Sequence, residues 1–81
     1  MRNNDVYQTK DLYEAALLEA NQLKLTRLDK EDSRYWFGFE NRIKAEQLSS
    51  QFWRKETQVN AKLYSEAIRG LKDRLFSQRV W

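Results

Sequence analysis

The segment Arg34-Tyr35-Trp36-Phe37-Gly38-Phe39-Glu40, near the middle of the chain, is the strongest β-strand signal in the sequence. It holds four of the eleven aromatic residues of the protein, and aromatic side chains are enriched in β-strands. Successive side chains of a strand point to opposite faces of the sheet. We therefore expect Tyr35, Phe37 and Phe39 to face the core and Trp36 to face away from it.

The residues before this strand predict a pairing partner for it. Leu23–Leu28 alternates as a half-buried strand does, and the charged segment 29–33 fits a loop, so the two strands are expected to form an antiparallel hairpin. With the loop centred near residue 31, the predicted core-face pairs are Leu25 with Phe37, Leu23 with Phe39 and Arg27 with Tyr35. The predicted outer-face pairs are Lys24 with Gly38, Thr26 with Trp36 and Leu28 with Arg34.

Helical spacing of apolar residues predicts three helices around this hairpin. A lone hairpin is only marginally stable in water, so we expect a third short strand from residues 57–59 or 5–8. The fold class is therefore α+β: a helix, an antiparallel β-hairpin and two helices packed on one sheet face. Gly38 is expected to make room for a neighbouring ring such as Trp36 or Trp53, with close approach of a ligand or another backbone as the alternative. Gly70 is expected to mark close packing against another element. The helices are expected over about 10–21, 41–55 and 61–76, with Thr9, Asn41 and Asn60 as N-caps.

Length and composition limit the classes of function. Eighty-one residues make one domain, 1–81, in which 1–8 is flexible or a short strand and 77–81 is a tail. Cysteine and histidine are absent, which excludes disulfides, thiol chemistry, imidazole bases and Cys/His metal sites. With no catalytic group found, we expect no enzyme activity, no metal and no cofactor. The polar N-terminus predicts neither a signal peptide nor a membrane segment, hence a cytoplasmic protein.

Aromatic and basic residues suggest nucleic acid as the first candidate ligand. In the expected register, Trp36 has Lys24 and Arg34 as neighbours on the outer face, and stacking with flanking cations is typical of single-strand binding. Arg42 and Lys44 lie at the start of the second helix, where the helix dipole favours anions. These five residues are the candidate nucleic-acid or anion site. The competing interpretation is that a helix or a second copy covers Trp36.

A larger protein is the alternative partner. Trp53 lies beside the apolar stripe of the second helix, and Trp81 ends the chain. Exposed tryptophans are enriched at binding hot spots, so both are candidate interface residues of a small phage or mobile-element inhibitor or adaptor. A homodimer through the hairpin edge is also expected if no third strand covers it.

The segment Thr9-Lys10-Asp11-Leu12-Tyr13-Glu14-Ala15-Ala16 resembles the helix start of a family of short uncharacterised bacterial and phage proteins. The aromatic strand Tyr35–Glu40 and the final-helix segment Leu71–Phe76 are similar to the same family, so the resemblance spans roughly residues 7–76. It implies a compact α+β module and assigns no catalytic or binding residue. One departure is Asn21-Gln22, where the family pattern implies a glycine after the first helix.

Overall fold

A computed structural model describes the backbone of residues 6–80 and the side chains of residues 6–77. It contains three strands and three helices, which confirms the predicted α+β class. Trp81 and residues 1–5 lie outside the described residues. The elements in chain order are β1 (Tyr7–Thr9), α1 (Leu12–Ala20), β2 (Leu25–Glu31), β3 (Arg34–Phe39), α2 (Arg42–Trp53) and α3 (Ala61–Val80).

The sheet has the strand order β1-β3-β2, with β3 antiparallel to both neighbours. The third strand that the hairpin needs comes from residues 7–9, close to the predicted 5–8, whereas 57–59 lies outside any strand. β1 is short and ends at Thr9, opposite Phe37. The aromatic segment is therefore the central strand of the sheet, a position that suits its large apolar side chains.

The predicted register of the hairpin was wrong. Phe37 pairs with Leu28 instead of Leu25, a shift of three residues, and Trp36 pairs with Asp29 instead of Thr26. The segment 29–31, expected in the loop, belongs to β2. The observed pairs are Leu25 with Phe39, Arg27 with Gly38, Leu28 with Phe37, Asp29 with Trp36, Lys30 with Tyr35 and Glu31 with Arg34.

Two local features explain this shift. Asp32 has a φ of 57°, a conformation that Asp tolerates better than most residues, and this permits a two-residue turn of Asp32 and Ser33 between the strands. A β-bulge lies between Leu25 and Arg27. Because the bulge adds one residue to β2, Leu25 and Leu28 both reach the core face although they are three residues apart.

The core lies between the inner face of the sheet and the helices. Phe37 and Phe39 are almost fully buried, and they belong to one cluster with Ala15 and Ala16 of α1. The small alanine side chains let neighbouring elements approach α1 closely. Other cluster members come from all three helices and the segment after α1: Leu18, Leu23, Ala45 and Leu71.

The helix boundaries depart from expectation in two places. Asp11, not Thr9, caps α1, since its side chain accepts the Glu14 backbone N–H at 2.9 Å. Thr9 is instead the last residue of β1. α3 continues beyond the predicted residue 76 to Val80, so the expected tail is mostly helical.

α1 ends in a Schellman motif without glycine. The Leu23 N–H donates to the Leu18 carbonyl at 3.1 Å and the Gln22 N–H to the Glu19 carbonyl at 3.0 Å. Gln22 has a φ of 72°, in the left-handed region where glycine is preferred. Gln22 therefore adopts the left-handed conformation at the position where the family pattern implies a glycine.

The interpretation of the two glycines holds for one of them. A Cβ at Gly38 would lie 3.1 Å from the Arg27 Cβ and 3.2 Å from the Val6 Cγ1, so Gly38 does mark close packing, but against these two side chains and not against a tryptophan ring. Apart from its chain neighbours and the adjacent backbone of α3, a Cβ at Gly70 would meet no atom of the described residues within 4 Å. Gly70 is exposed on α3, and the expectation of close packing there was wrong.

Candidate binding surfaces

The outer face of the sheet carries Trp36, as the alternation predicts. Its closest partners differ from those expected: Asp29 lies opposite on β2, Nε1 donates to Glu31 Oε1 at 2.7 Å, and the Lys10 Nζ lies 4.6 Å from the ring centroid. Trp36 itself is half-buried. Of the two cations predicted beside Trp36, Lys24 lies at the start of α2, whereas Arg34 stays two residues away on the same face of β3. Lys10 and two carboxylates are the neighbours that were not predicted.

Charges on this outer face are largely neutralised within the chain. The Lys10 Nζ lies 4.0 Å from Glu31 Oε1, and Arg27 Nη2 lies 3.0 Å from Asp29 Oδ2. Arg34 is exposed and lies opposite Glu31 in the strand register, but no ion pair among residues 6–77 involves it. Exposed pairs of this kind each contribute little to stability, but they lower the local positive potential that a phosphate backbone needs.

Two of the predicted cations meet elsewhere. Lys24 and Lys44 line one shallow depression of about 370 Å³ at the start of α2, together with Glu40 and Asn41. Asn41 has a φ of 66° and caps α2, accepting the Lys44 backbone N–H at 3.3 Å. The first turn of α2 contains no acidic residue, as the sequence indicated.

Arg42 is directed along α2 and not into that depression. Its Nε lies 2.9 Å from Glu46 Oε2, one helical turn away. The candidate nucleic-acid residues are therefore divided between two places. Lys24 and Lys44 lie at the start of α2, whereas Arg34 and Trp36 lie on the hairpin.

The outward side of α2 presents two large apolar side chains. Ile43 is 73% exposed and Trp53 is 59% exposed. Trp53 also makes an edge-to-face contact with Phe52, with ring centroids 5.0 Å apart. Ile43, Glu46, Ser50 and Trp53 follow one another at i, i+3, i+7 and i+10, and we call them the α2 stripe.

A buried polar cluster that sequence reasoning missed connects β1, α1 and α2. Glu14 is only 3% exposed, yet its carboxylate accepts hydrogen bonds from Tyr7 Oη at 2.6 Å, from Thr9 Oγ1 at 2.6 Å and from Ser49 Oγ. Among residues 6–77, no lysine or arginine forms an ion pair with Glu14. Three hydroxyl donors therefore compensate the buried charge.

The one signal of this cluster in the sequence is the position of Glu14 on its helix. It lies three and four residues before the buried Leu17 and Leu18, which places a carboxylate on the apolar side of α1. The partners could not be deduced, because Ser49 is 35 residues from Glu14.

Burial changes the acidity of three groups. It raises the pKa of Tyr7, and the hydrogen bond to Glu14 raises it further. Burial also raises the pKa of Tyr64, with added repulsion from Asp11, and the pKa of Glu19, where Arg74 opposes the effect. These groups lie on the contacts that hold the helices to the rest of the domain, and none lines the depression at the start of α2.

No group of three or more His, Cys, Asp or Glu side chains in the described part of the chain could hold a metal ion. Within residues 6–80, none of the helices combines the length and the apolar character that a membrane crossing requires.

These features define a small α+β domain with a three-stranded antiparallel sheet, helices on one sheet face and shallow surface depressions. The model of one sequence family, described as a domain of unknown function (DUF5659), matches residues 4–77. The chain belongs to this family. No curated protein and no solved structure is significantly similar to it.

Proposed function

We propose that the protein is a small accessory module without enzymatic activity that binds a partner protein through the α2 stripe. The observation that carries this proposal is the exposure of Trp53 and Ile43 on one side of one helix. Single exposed apolar side chains are ordinary on a protein surface. Here two large apolar side chains, Ile43 and Trp53, lie at the two ends of the same stripe.

The spacing of the stripe suits recognition of a helix by a groove. At 3.6 residues per turn, its four residues fall within an arc of roughly 80°, and Ile43 and Trp53 are about 15 Å apart along the axis. Amphipathic helices that enter grooves use anchors with this kind of spacing. Glu46, between the anchors, is already paired with Arg42, so a largely apolar groove suits the stripe.

The biological setting of this proposal follows from the resemblance and the composition. A short phage or mobile-element protein that acts as an inhibitor or adaptor would fill a groove of a larger host protein in this way. The absence of cysteine suits a reducing compartment, so we place this activity in the cytoplasm.

Nucleic acid is the second candidate ligand. The meeting of Lys24 and Lys44 at the start of α2 supports it. The carboxylates beside Trp36 and the division of the predicted cations between two places weigh against it. Binding of nucleic acid would weaken steeply with added salt, because counterion release drives it, whereas binding through Trp53 would change little.

A second copy of the chain is a third candidate partner. β2 remains an edge strand, since β3 separates it from β1. However, the hairpin already has its third strand, and Arg27, Asp29 and Lys30 place charges along β2. Charged residues on an edge strand disfavour pairing with another edge. A monomer in sedimentation equilibrium would exclude this edge dimer.

The test is a pull-down from source-cell lysate, with and without nuclease, using the wild-type protein and two double variants. Ile43→Ser/Trp53→Ala removes both anchors of the stripe. Tyr13→Ala/Leu63→Ser is the matched control, because it removes an exposed aromatic and an exposed aliphatic side chain elsewhere. Captured proteins are identified, purified and tested again in direct binding.

We expect a nuclease-resistant partner that binds the control variant and loses at least about tenfold in affinity for Ile43→Ser/Trp53→Ala, as hot-spot residues do. Both variants should keep their fold. A partner retained by the stripe variant would contradict the proposal. Capture that nuclease abolishes, and that Lys24→Glu/Lys44→Glu also abolishes, would favour nucleic acid instead.

A further inference from the structure

A groove lies between the turn of the hairpin and the last part of α3. It consists of two depressions of about 460 and 320 Å³, which share Ser33, Tyr35 and Leu75 as lining residues. We call it the hairpin–α3 groove. None of its described lining residues belongs to α2, so it is separate from the surface in the proposed function.

The floor of this groove is apolar. Leu12 of α1, Phe37 of β3 and Leu75 of α3 line it, and Tyr35 lies beside them. Phe37 is almost completely buried, and Leu12 and Leu75 are partly buried members of the same core. An apolar side chain placed here would extend the core of the domain.

The rim of the groove is basic. The charged residues among its described lining are Lys10, Lys30 and Arg34, and all three are cations. No ion pair within residues 6–77 involves Lys30 or Arg34, while Lys10 lies at 4.0 Å from Glu31. Glu31 and Asp32, the nearest acids in sequence, do not line the groove. The rim therefore complements an acidic ligand.

A short stretch of sheet edge borders the groove. β1 ends at Thr9 opposite Phe37, so Arg34–Trp36 of β3 has no partner in β1. An extended peptide could continue the row of β1 and pair with these residues, as in strand addition. Side chains alternate, so a residue opposite Tyr35 would point to the apolar floor.

From this juxtaposition of apolar floor, cationic rim and strand edge, we propose that the hairpin–α3 groove binds an extended acidic segment of a protein that carries apolar side chains between carboxylates. The edge of β3 offers backbone hydrogen bonds to a peptide but not to a fatty acid. Of the two aromatic side chains in the groove, Phe37 is almost completely buried and Tyr35 is half-buried, whereas single-stranded nucleic acid needs exposed aromatic rings for stacking.

The experiment uses the full chain and a fluorescein-labelled peptide with the repeating pattern Glu-Leu-Glu-Phe, followed by anisotropy at about 0.15 M salt, where the Debye length is about 8 Å. We expect saturable binding of this peptide and none of the same peptide with lysine in place of glutamate. Amide chemical-shift changes in the labelled protein should concentrate at Ser33, Tyr35 and Leu75.

Two variants test the groove directly. Lys30→Glu/Arg34→Glu reverses the rim and should weaken peptide binding by roughly tenfold or more. Lys24→Glu/Lys44→Glu makes the same change in net charge at the other basic depression and should leave affinity within about twofold. Ser33→Trp should block the groove from the turn without removing a core side chain.

Several results would overturn this inference. Equal weakening by the two charge variants would show attraction by net charge alone. Binding of oligo-dT or laurate, but not of the acidic peptide, would assign the groove to another ligand. Failure of Ile43→Ser/Trp53→Ala to bind the peptide would place the ligand on the α2 stripe. Normal binding by that variant separates this inference from the proposed function.

Discussion

The two faces of the sheet carry the same interaction in opposite surroundings. On the inner face, Tyr7 Oη donates to the Glu14 carboxylate at 2.6 Å, and on the outer face Trp36 Nε1 donates to the Glu31 carboxylate at 2.7 Å. Glu14 is 3% exposed, whereas the Glu31 side chain is 62% exposed. Loss of the Tyr7–Glu14 bond should therefore destabilise the fold much more than loss of the Trp36–Glu31 bond, although the two bonds are nearly equal in length.

Burial, and not bond length, therefore determines how much each carboxylate contributes to the free energy of unfolding. Water can replace every partner of Glu31, so its bonds contribute little net free energy. Water cannot easily reach Thr9, Ser49 or Glu14. Removal of one member takes a hydrogen-bond partner from groups that stay buried, and that desolvation cost is not recovered.

The largest expected effect is that of Glu14→Ala. The substitution leaves the hydroxyls of Tyr7, Thr9 and Ser49 without their common acceptor and opens a small cavity, so we expect the free energy of unfolding to fall by about 3 kcal/mol. Urea denaturation followed by far-UV circular dichroism measures this change. A loss no larger than that caused by Glu31→Ala would contradict the comparison.

Tyr7→Phe is expected to have the next largest effect, a loss of about 1.5 kcal/mol, since it removes a hydrogen bond to a charged group at a half-buried position. The substitution should also change how the free energy of unfolding depends on pH in the alkaline range. The folded-state pKa of Tyr7 is raised above its ordinary value of 10.0. The stabilisation is therefore complete below about pH 10 and is lost as the pH rises through the folded-state pKa.

Denaturation at a series of pH values between neutral and strongly alkaline checks this prediction. The wild-type protein should lose stability above pH 10 more steeply than Tyr7→Phe does. Identical slopes for the two proteins would show that the Tyr7 hydroxyl does not keep its proton more tightly in the folded state.

Alanine substitutions at the two glycines should change stability in opposite directions. Gly38→Ala should destabilise the domain by about 1 kcal/mol, because the new Cβ would crowd the Cβ of Arg27 and the side chain of Val6. Gly70→Ala should stabilise it by about 0.5–1 kcal/mol, because α3 has open space there and alanine favours the helix. Thermal melts of both variants give the signs, and two changes of the same sign would contradict the packing described for Gly38.

The smallest expected effect belongs to the outer face. Glu31→Gln removes the charge beside Lys10 and Trp36, yet these groups are exposed enough for water to compensate, so the change in unfolding free energy should stay below about 0.5 kcal/mol. Chemical denaturation at low and high salt checks this. A loss above 1 kcal/mol would show that the outer face is held as firmly as the inner one.

Much of the fold was predictable because it follows from local rules. The caps Asn41 and Asn60 begin α2 and α3 where the sequence placed them, since a side-chain acceptor near the first backbone N–H groups acts over three residues. The register was not predictable in the same way. It depended on a positive φ at Asp32 and on a bulge in β2 that the alternation of Leu23–Leu28 concealed.

For the candidate site residues too, local patterns predicted the position on a strand but not the neighbours from other parts of the chain. The outward position of Trp36 was correctly predicted from the alternation of one strand. Its neighbours were not, because Lys10 comes from the segment after β1 and Asp29 from the shifted register. Trp81, the second predicted interface residue, lies outside the described residues, and the binding roles of all these residues stay predictions.

The sequence alone determined the α+β class, the approximate positions of the helices and the two faces of the aromatic strand, because helix capping and side-chain periodicity act between near neighbours. Only the tertiary structure decided that Glu14 joins Tyr7 and Ser49, and that Trp36 lies among carboxylates. Tyr7 and Ser49 are 42 residues apart. Contacts over such separations depend on how whole elements pack, and no local pattern in the chain encodes them.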